Sequence, residues 1–522
     1  MATTAQPLTP PAVPTRVRPA AVPRARTRLS HSLAVGGLAA AIKLATALPF
    51  LTHYGWDRDE LYFLQASRHL GLGYVDFPMI TALIGHLVIG VAGPSLVALR
   101  LTGVGATMLA AVLVGLCARE LDGGLRAQGL AALVYVLTPY GLAGGTIFHP
   151  TMFDLLVWIA FAYVALRILR RPEPRLWPLL GVIGAVGLET KGTVAALMLA
   201  GAAALLVLGP RGTLRTRGPW LASGIALLGL APYLAWEAAH GWPTLTFLPS
   251  QDAATAASTP RPTYVFQQLA FVGPAMVLIA VGVRELWRDP RVRALAVLAP
   301  LTSLLFFVEQ GRAYYSLPAI ALPLAAGAVA AERWWSARRR DGRSRRRAVM
   351  AGALVASQLA AIALAAPLVW PVLPTATMVR LGYWQTGWFK DELGWPELAA
   401  QTARAWRAIP AGQRAGTALL ARNYGEAGAL DLYGPALGLP QALSGHLSFQ
   451  YWHPRRMPQH RVLAVGYDTA TLRGLCRSIW VVARINNPWG IANQEQGQTI
   501  AVCTLRAPLG VLWASRIATD RL

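Results

Sequence analysis

Charged side chains make up only 14% of this chain, and those able to do chemistry gather in four short stretches. HYGWDRDELYF supplies Asp57, Asp59 and Glu60, and FHPTMFD supplies His149 and Asp154. LETKG supplies Glu189 and Lys191, while EQGRAYY supplies Glu309, Arg312, Tyr314 and Tyr315. Paired carboxylates beside a few cations suit a reaction that deprotonates a hydroxyl while a phosphate departs. A carboxylate acts as base, and lysine or arginine offsets the charge developing on oxygen. The two tyrosines add phenols able to hydrogen-bond a phosphate or stack on a sugar ring. None of these spacings is a metal signature, because His149 and Asp154 lie five apart, off the offsets that align side chains on one helix. No cofactor is indicated; a divalent metal remains compatible with the chemistry.

The elements that must position these groups are apolar. The chain is 55% hydrophobic, with a mean hydropathy of +0.42, far beyond what one soluble core needs. A bilayer core takes about 20 apolar residues per crossing, which gives about eleven spans. They fall near 31–51, 96–117, 126–147, 151–168, 176–190, 193–209, 219–236, 266–283, 294–308, 313–331 and 348–370. On that count the loops on one side carry Arg16 to Arg28, Arg119, Arg126, Arg167 to Arg175, Arg211 to Arg217, Arg284 to Arg293 and the cluster Arg333 to Arg347. The opposite loops hold only Arg58, Arg68, Lys191, Arg261 and Arg312 before residue 371. The positive-inside rule makes the arginine-rich side cytoplasmic and puts all four reactive stretches at the outer face. The excess of basic residues, +24 net, is thereby read as topology and not as a nucleic-acid footprint.

Residues 1–28 are rich in Pro, Ala and Arg and have no apolar core, so they read as a disordered cytoplasmic tail and not a signal peptide. After about residue 371 the character changes to short strand-like runs, Thr417–Ala421, Arg461–Gly466, Ile479–Ala483 and Thr499–Leu505. Helical stretches at Glu397–Ala408 and Thr469–Cys476 lie between them. The expected division is a tail over 1–30, a membrane all-α bundle over 31–370 and an extracytoplasmic α/β domain over 371–522. The apolar stretch Pro508 to Ala514 is too short to span. Of the three cysteines, Cys117 lies in an apolar run, and Cys476 and Cys503 share the C-terminal domain, paired or free.

DRDELYF, LETKG and GRAYYSLPAIALPLAAGA, with NYGEAGALDLYG, LSGHLSF and NNPWG further on, resemble the GT-C membrane glycosyltransferases related to family 39. That group includes protein O-mannosyltransferases and lipid A aminoarabinose transferases. The resemblance covers nearly the whole chain after residue 45. It implies transfer of a sugar, with inversion, from a polyprenyl-phosphate carrier to an envelope acceptor at the outer face of the plasma membrane. By position it makes Asp59 the catalytic aspartate, with Glu60 beside it and Asp154 as a second acid. Lys191, Tyr314 and Tyr315 match positions at the carrier phosphate, with Arg312, Arg68 and His149 as further binding candidates read from the outer loops. One departure is GYVDFPMI, where Asp76 and Phe77 precede Pro78; aminoarabinose transferases carry a lysine before that proline. This argues against aminoarabinose as the sugar and lipid A as the acceptor.

Plainer roles compete at each position. Asp57 to Glu60 can be a solvated loop with a helix cap, Asp154 a cap of the fourth span, and Glu189 with Lys191 a structural ion pair. Arg312 can snorkel, Tyr314 and Tyr315 can belong to the aromatic belt, and Lys43 and Arg100 read as buried structural residues. A transporter or flippase for lipid-linked glycans would also have many helices, but it tends to show repeated halves and midplane breaks; no repeat is visible here. A non-catalytic envelope-assembly protein is the third class.

Overall fold

The computed structural model describes residues 27–337, 344–385 and 388–521. Most of the basic tail and the middle of the Arg333 to Arg347 cluster fall outside them. Among the described residues, seven helices are long and apolar enough to cross a membrane: Leu29–Phe50, Leu96–Glu120, Pro150–Arg170, Gly218–Ala239, Arg261–Arg288, Ala313–Ala337 and Ala348–Val369. Shorter apolar helices at Ile80–Ala92, Leu125–Leu137, Leu176–Leu188, Thr193–Leu208 and Leu298–Val308 fill in between. The chain is a multi-pass membrane protein.

The first part runs α1 (Leu29–Ala47), α2 (Arg58–Arg68), α3 (Ile80–Ala92), α4 (Leu96–Glu120), α5 (Leu125–Leu137), α6 (Pro139–Ala143), α7 (Pro150–Arg170), α8 (Leu176–Leu188) and α9 (Thr193–Leu208). Several expected spans are broken where proline or glycine interrupts them. The stretch 126–147 divides at Thr138, whose hydroxyl caps α6 by accepting from Gly141 N–H, with Pro139 at its first position. The stretch 266–283 divides at Gly273, which takes φ +60°, just before Pro274. Both follow from the missing N–H of proline and the left-handed freedom of glycine. Helix α3 is new: its 13 residues are too few to be counted by a rule that asks for about 20. Small residues let helices touch elsewhere. A Cβ on Gly282 would stand 1.7 Å from the Pro323 carbonyl oxygen, so Met276–Arg288 and Ala321–Ala337 cross backbone to backbone.

The C-terminal region carries β1 (Thr417–Ala421), β2 (Ala442–Leu443), β3 (Arg461–Tyr467), β4 (Cys476–Arg484) and β5 (Thr499–Leu505) in the order β2-β1-β3-β5-β4. Strand β1 runs parallel to β2 and β3, and β5 lies antiparallel between β3 and β4. Helices Trp395–Ala408, Tyr424–Tyr433 and Thr469–Leu475 complete the α/β unit. Cys476 and Cys503 form a disulfide between β4 and β5, and Cys117 is buried and free. Pro508 to Ala514 contains a short helix, Leu509–Leu512, and the start of a π-helical turn, Trp513–Ile517.

Bundle and α/β unit meet on α2. Arg100, on α4, donates from Nε to Glu60 Oε1 at 2.8 Å and from Nη2 to Glu60 Oε2 at 2.6 Å. It also donates to the carbonyls of Leu51 at 2.7 Å and Gly55 at 2.8 Å, and Glu392 of the C-terminal region lies 3.3 Å away. Arg58 joins Glu495 at 2.8 Å and Asp391 at 3.3 Å. A buried pair holds only while both members are present; deleting one leaves an uncompensated charge. Arg100→Met should therefore lower stability by about 3–5 kcal/mol, read as a fall in the unfolding midpoint of the detergent-purified protein. A wild-type midpoint would show that the pair does not hold the loop.

Candidate active site

Helix α2 begins with a reciprocal cap. The Asp57 side chain accepts from Asp59 N–H at 2.8 Å, and the Glu60 carboxylate accepts from Asp57 N–H at 2.8 Å. Asp59 sits in the first turn, its side chain 39% exposed. Helix α7 begins at His149, whose Nδ1 accepts from Thr151 N–H at 3.0 Å. That bond puts the proton of a neutral imidazole on Nε2, which faces Asp59 Oδ2 at 3.7 Å. Lys191 occupies the turn between α8 and α9; its Nζ donates to Thr151 Oγ1 at 2.7 Å and stands 4.3 Å over the Tyr315 ring. Arg312 precedes the 3-10 segment Ala313–Ile320, which carries Tyr314 and Tyr315, edge to face at 5.0 Å.

Two cavities, about 460 Å³ and about 130 Å³, share Asp59, His149, Arg312, Tyr314 and Tyr424 as walls. The smaller adds Lys191, Tyr315 and Asp76. The larger is two-faced: Met152, Leu155 and Phe271 come from membrane helices, whereas Lys390, Asn423, His446 and Gln494 come from the C-terminal region. Asp59 lies where the two spaces meet, with Oδ1 accepting from Tyr424 O–H at 2.8 Å. A carboxylate at such a junction, with Lys191 and Tyr315 in the smaller space and Arg312 and Tyr314 shared between the two, can receive a proton from a group in one space while an anion is stabilised in the other.

Six of the nine residues singled out from the sequence thus come together: Asp59, His149, Lys191, Arg312, Tyr314 and Tyr315. Three do not. Glu60 is fully buried and spent on Arg100, on Asp57 N–H and on Phe148 N–H at 2.7 Å. Asp154 is not the cap of its helix, a place taken by His149; it is buried within α7 and accepts from Thr193 O–H at 2.9 Å. Arg68 is exposed at the far end of α2 and lines neither cavity. Glu189 is not paired with Lys191; it accepts from Tyr233 N–H at 3.2 Å. Arg100 and Lys43 are structural, Lys43 donating to the Leu142 carbonyl at 2.9 Å. Among the described residues no group of three or more metal-ligating side chains is assembled.

The C-terminal contribution was not anticipated residue by residue. Tyr424, in NYGEAGALDLYG, touches Asp59 and stacks on His446, of LSGHLSF, at 5.2 Å. Ser448 of that second segment lies 2.8 Å from the Tyr62 hydroxyl. Both segments were visible as family-like stretches, but nothing in them announces contact with a loop more than 350 positions earlier.

A membrane helical bundle with a polar cavity at one end, closed by a small α/β unit, defines a GT-C type of architecture. Residues 76–236 match the family model described as dolichyl-phosphate-mannose-protein mannosyltransferase. The chain is 28% identical over 187 residues to undecaprenyl phosphate-alpha-4-amino-4-deoxy-L-arabinose arabinosyl transferase 1 of Pseudomonas fluorescens. That match takes in 32% of this chain and 32% of the relative, so it spans about a third of the curated relative's length. The crystal structure of ArnT from Cupriavidus metallidurans bound to undecaprenyl phosphate superposes with a TM-score of 0.54 at 15% identity, covering 92% of this chain and 99% of that one. Its apo form gives 0.52 at 15%, covering 89% and 97%. The fold is therefore of the GT-C kind, in its aminoarabinose transferase-like form, in agreement with the resemblance seen in the sequence.

Burial first, and the positive charge of Lys191 second, push the His149 imidazole down to about 3, with Asp59 acting in the opposite sense and Arg312 adding to the depression. Between about 3 and the ordinary value near 6.5 the unfolded chain binds a proton that the folded chain refuses. The stability held by a neutral His149 is thus complete above about pH 6.5 and lost as pH falls through that window. His149→Asn keeps an oxygen at the helix cap and removes the titration. The melting midpoint of wild type relative to this variant should fall between pH 7 and pH 4; a constant difference would refute the assignment.

Proposed function

We propose that the protein is an integral-membrane glycosyltransferase that moves a sugar from a polyprenyl-phosphate carrier to an acceptor hydroxyl. The observation that carries this reading is Asp59 at the meeting point of two cavities, with Lys191 and Arg312 on the wall of the smaller one. In the proposed step the acceptor oxygen, approaching from the larger cavity, attacks the anomeric carbon. The bond from that carbon to the phosphate oxygen breaks with its electron pair, and the hydroxyl proton passes to Asp59. Lys191 and Arg312 offset the charge left on the carrier phosphate, with Tyr314 and Tyr315 as hydrogen-bonding neighbours. A single displacement inverts the anomeric centre. The carrier chain lies along the apolar wall of Met152, Leu155 and Phe271, while the polar wall of the α/β unit receives the acceptor, which is a protein, lipid or glycan of the envelope.

His149 and Tyr424 position the Asp59 carboxylate in this reading, and Glu60, Asp154 and Arg68 have no direct part. The topology that goes with it has about eleven crossings, the tail 1–30 in the cytoplasm, the bundle 31–370 in the plasma membrane and the domain 371–522 outside. The arginine asymmetry between alternate loops supports that orientation.

Asp59→Asn keeps the hydrogen bond from Tyr424 but cannot take up the proton. Transfer of labelled sugar from a polyprenyl-phosphate donor in membranes should fall by about 100-fold or more. Activity at the wild-type rate would remove Asp59 from the mechanism.

A further inference from the structure

Charge in the smaller cavity is separated by position. Lys191 and Arg312 come with Tyr314 and Tyr315, whereas two carboxylates, Asp59 and Asp76, belong to the first outer loop. Asp76 lies in a tight turn in which Tyr74 N–H donates to the Phe77 carbonyl at 3.0 Å and Gly73 bridges to Pro78. Its Oδ1 accepts from Tyr62 O–H at 2.6 Å. Tyr62 is fixed in turn by Ser448, whose N–H donates to the phenolic oxygen at 3.3 Å and whose Oγ accepts from Val75 N–H at 3.0 Å. The Tyr62 hydroxyl thus faces both Asp76 Oδ1 at 2.6 Å and Ser448 Oγ at 2.8 Å, the shorter contact being to the carboxylate, whose orientation it fixes. The second carboxylate oxygen makes no hydrogen bond to another described residue, and Asp76 is only half-buried on the cavity wall. The reaction as read above uses Asp59 and the cations and leaves Asp76 without a role.

We propose that Asp76 is the sugar-selecting residue of this cavity: its free oxygen hydrogen-bonds hydroxyls of a single sugar unit that bears no negative charge, and it excludes sugars carrying a carboxylate. The inference rests on the donor reading given under Proposed function. If the carrier phosphate takes the cations, the sugar is left at the carboxylate end. There Phe77, Phe247 and Tyr62 contribute apolar lining beside a sugar, and Asp76 offers an acceptor. A neutral sugar gains a charge-assisted hydrogen bond. A uronic acid would bring a third carboxylate beside Asp59 and Asp76 with both nearby cations already engaged, and like charges brought together in a confined space are costly. The volume of about 130 Å³ suits a sugar unit of about one ring beside Asp76.

The test is a binding titration of the purified full-length protein in lipid nanodiscs, followed by tryptophan fluorescence. It is run at pH 8, above the value of about 7 to which burial pushes Asp76, so that the carboxylate is ionised. The probes are polyprenyl phosphate alone, its neutral hexosyl conjugate and its hexuronyl conjugate. Wild type should bind the bare carrier phosphate and should bind the hexuronyl conjugate roughly tenfold or more weakly than the hexosyl one. Asp76→Asn should bring the two Kd values together, with Asp76→Ser in its place if the first variant does not fold. Equal Kd values for the two conjugates in wild type, or a ratio that neither variant changes, would overturn the selecting role while leaving the donor reading intact. Failure of wild type to bind the bare carrier would overturn the donor reading and the selecting role with it.

Discussion

One guanidinium holds together the end of the helical bundle that carries the site. Arg100 is 1% exposed and Glu60 fully buried, and burying such charges is costly unless every donor finds an acceptor. Here the site supplies them: a carboxylate gripped at two oxygens, two loop carbonyls and the nearby Glu392. The same carboxylate takes the N–H groups of Asp57 and Phe148. The start of α2 and the approach to α7 are thereby fastened to α4, and the loop between α1 and α2 cannot shift without unpairing a buried charge. Adjacent residues on a helix point roughly 100° apart at 3.6 residues per turn. With Glu60 turned in towards Arg100, Asp59 is turned out towards the cavity.

The α/β unit is built against that helix and not merely tethered to it. A Cβ on Gly428 would approach Leu61 Cβ at 2.9 Å, and one on Gly425 would meet the Arg58 side chain at 2.5 Å. Helix Tyr424–Tyr433 can lie this close only because those two positions lack side chains. Tyr424 then reaches Asp59, and the Ser448 segment reaches Tyr62 and Val75. The larger cavity therefore has walls from two parts of the chain, one largely apolar from the helical bundle and one polar from the C-terminal region. Such a composite cleft suits an amphiphilic substrate, whose apolar and polar parts meet different walls.

Much of this was legible in the sequence, for identifiable reasons. The strands at Thr417–Ala421 and Thr499–Leu505 agree with the structure residue for residue, because apolar runs bounded by turn residues have few alternatives. The four reactive stretches were recognisable because ionisable groups at the ends of apolar helices are rare. Glu60 could not be separated from Asp59, since the difference lies in Arg100, 40 positions away. Asp154 looked like a helix cap because the start of α7 is set by His149 and Pro150, a less common pairing than an aspartate cap. Glu189 and Lys191, two apart in sequence, invited a pairing that the turn between α8 and α9 does not make, Glu189 facing Tyr233 and Lys191 facing Thr151. The role of Tyr424 was out of reach, because long-range contact leaves no periodic trace.

The arrangement around Asp59 also bears on how a proton could be accepted there. Among the described residues no lysine or arginine nitrogen lies within 4.0 Å of its carboxylate; its contacts are a phenol at 2.8 Å and an imidazole nitrogen at 3.7 Å. Burial and the neighbouring cations keep that imidazole neutral. Both neighbours are thus neutral: the phenol donates to the carboxylate and the imidazole stands beside it, and neither neutralises it. Lys191 is held off by Thr151 and the face of Tyr315, so its charge stays available to an incoming anion. Had either cation closed on Asp59, taking up a proton would require breaking an ion pair, and the anion would lose its counter-charge at the same moment. Keeping base and cations apart within one small cavity resolves both conflicts.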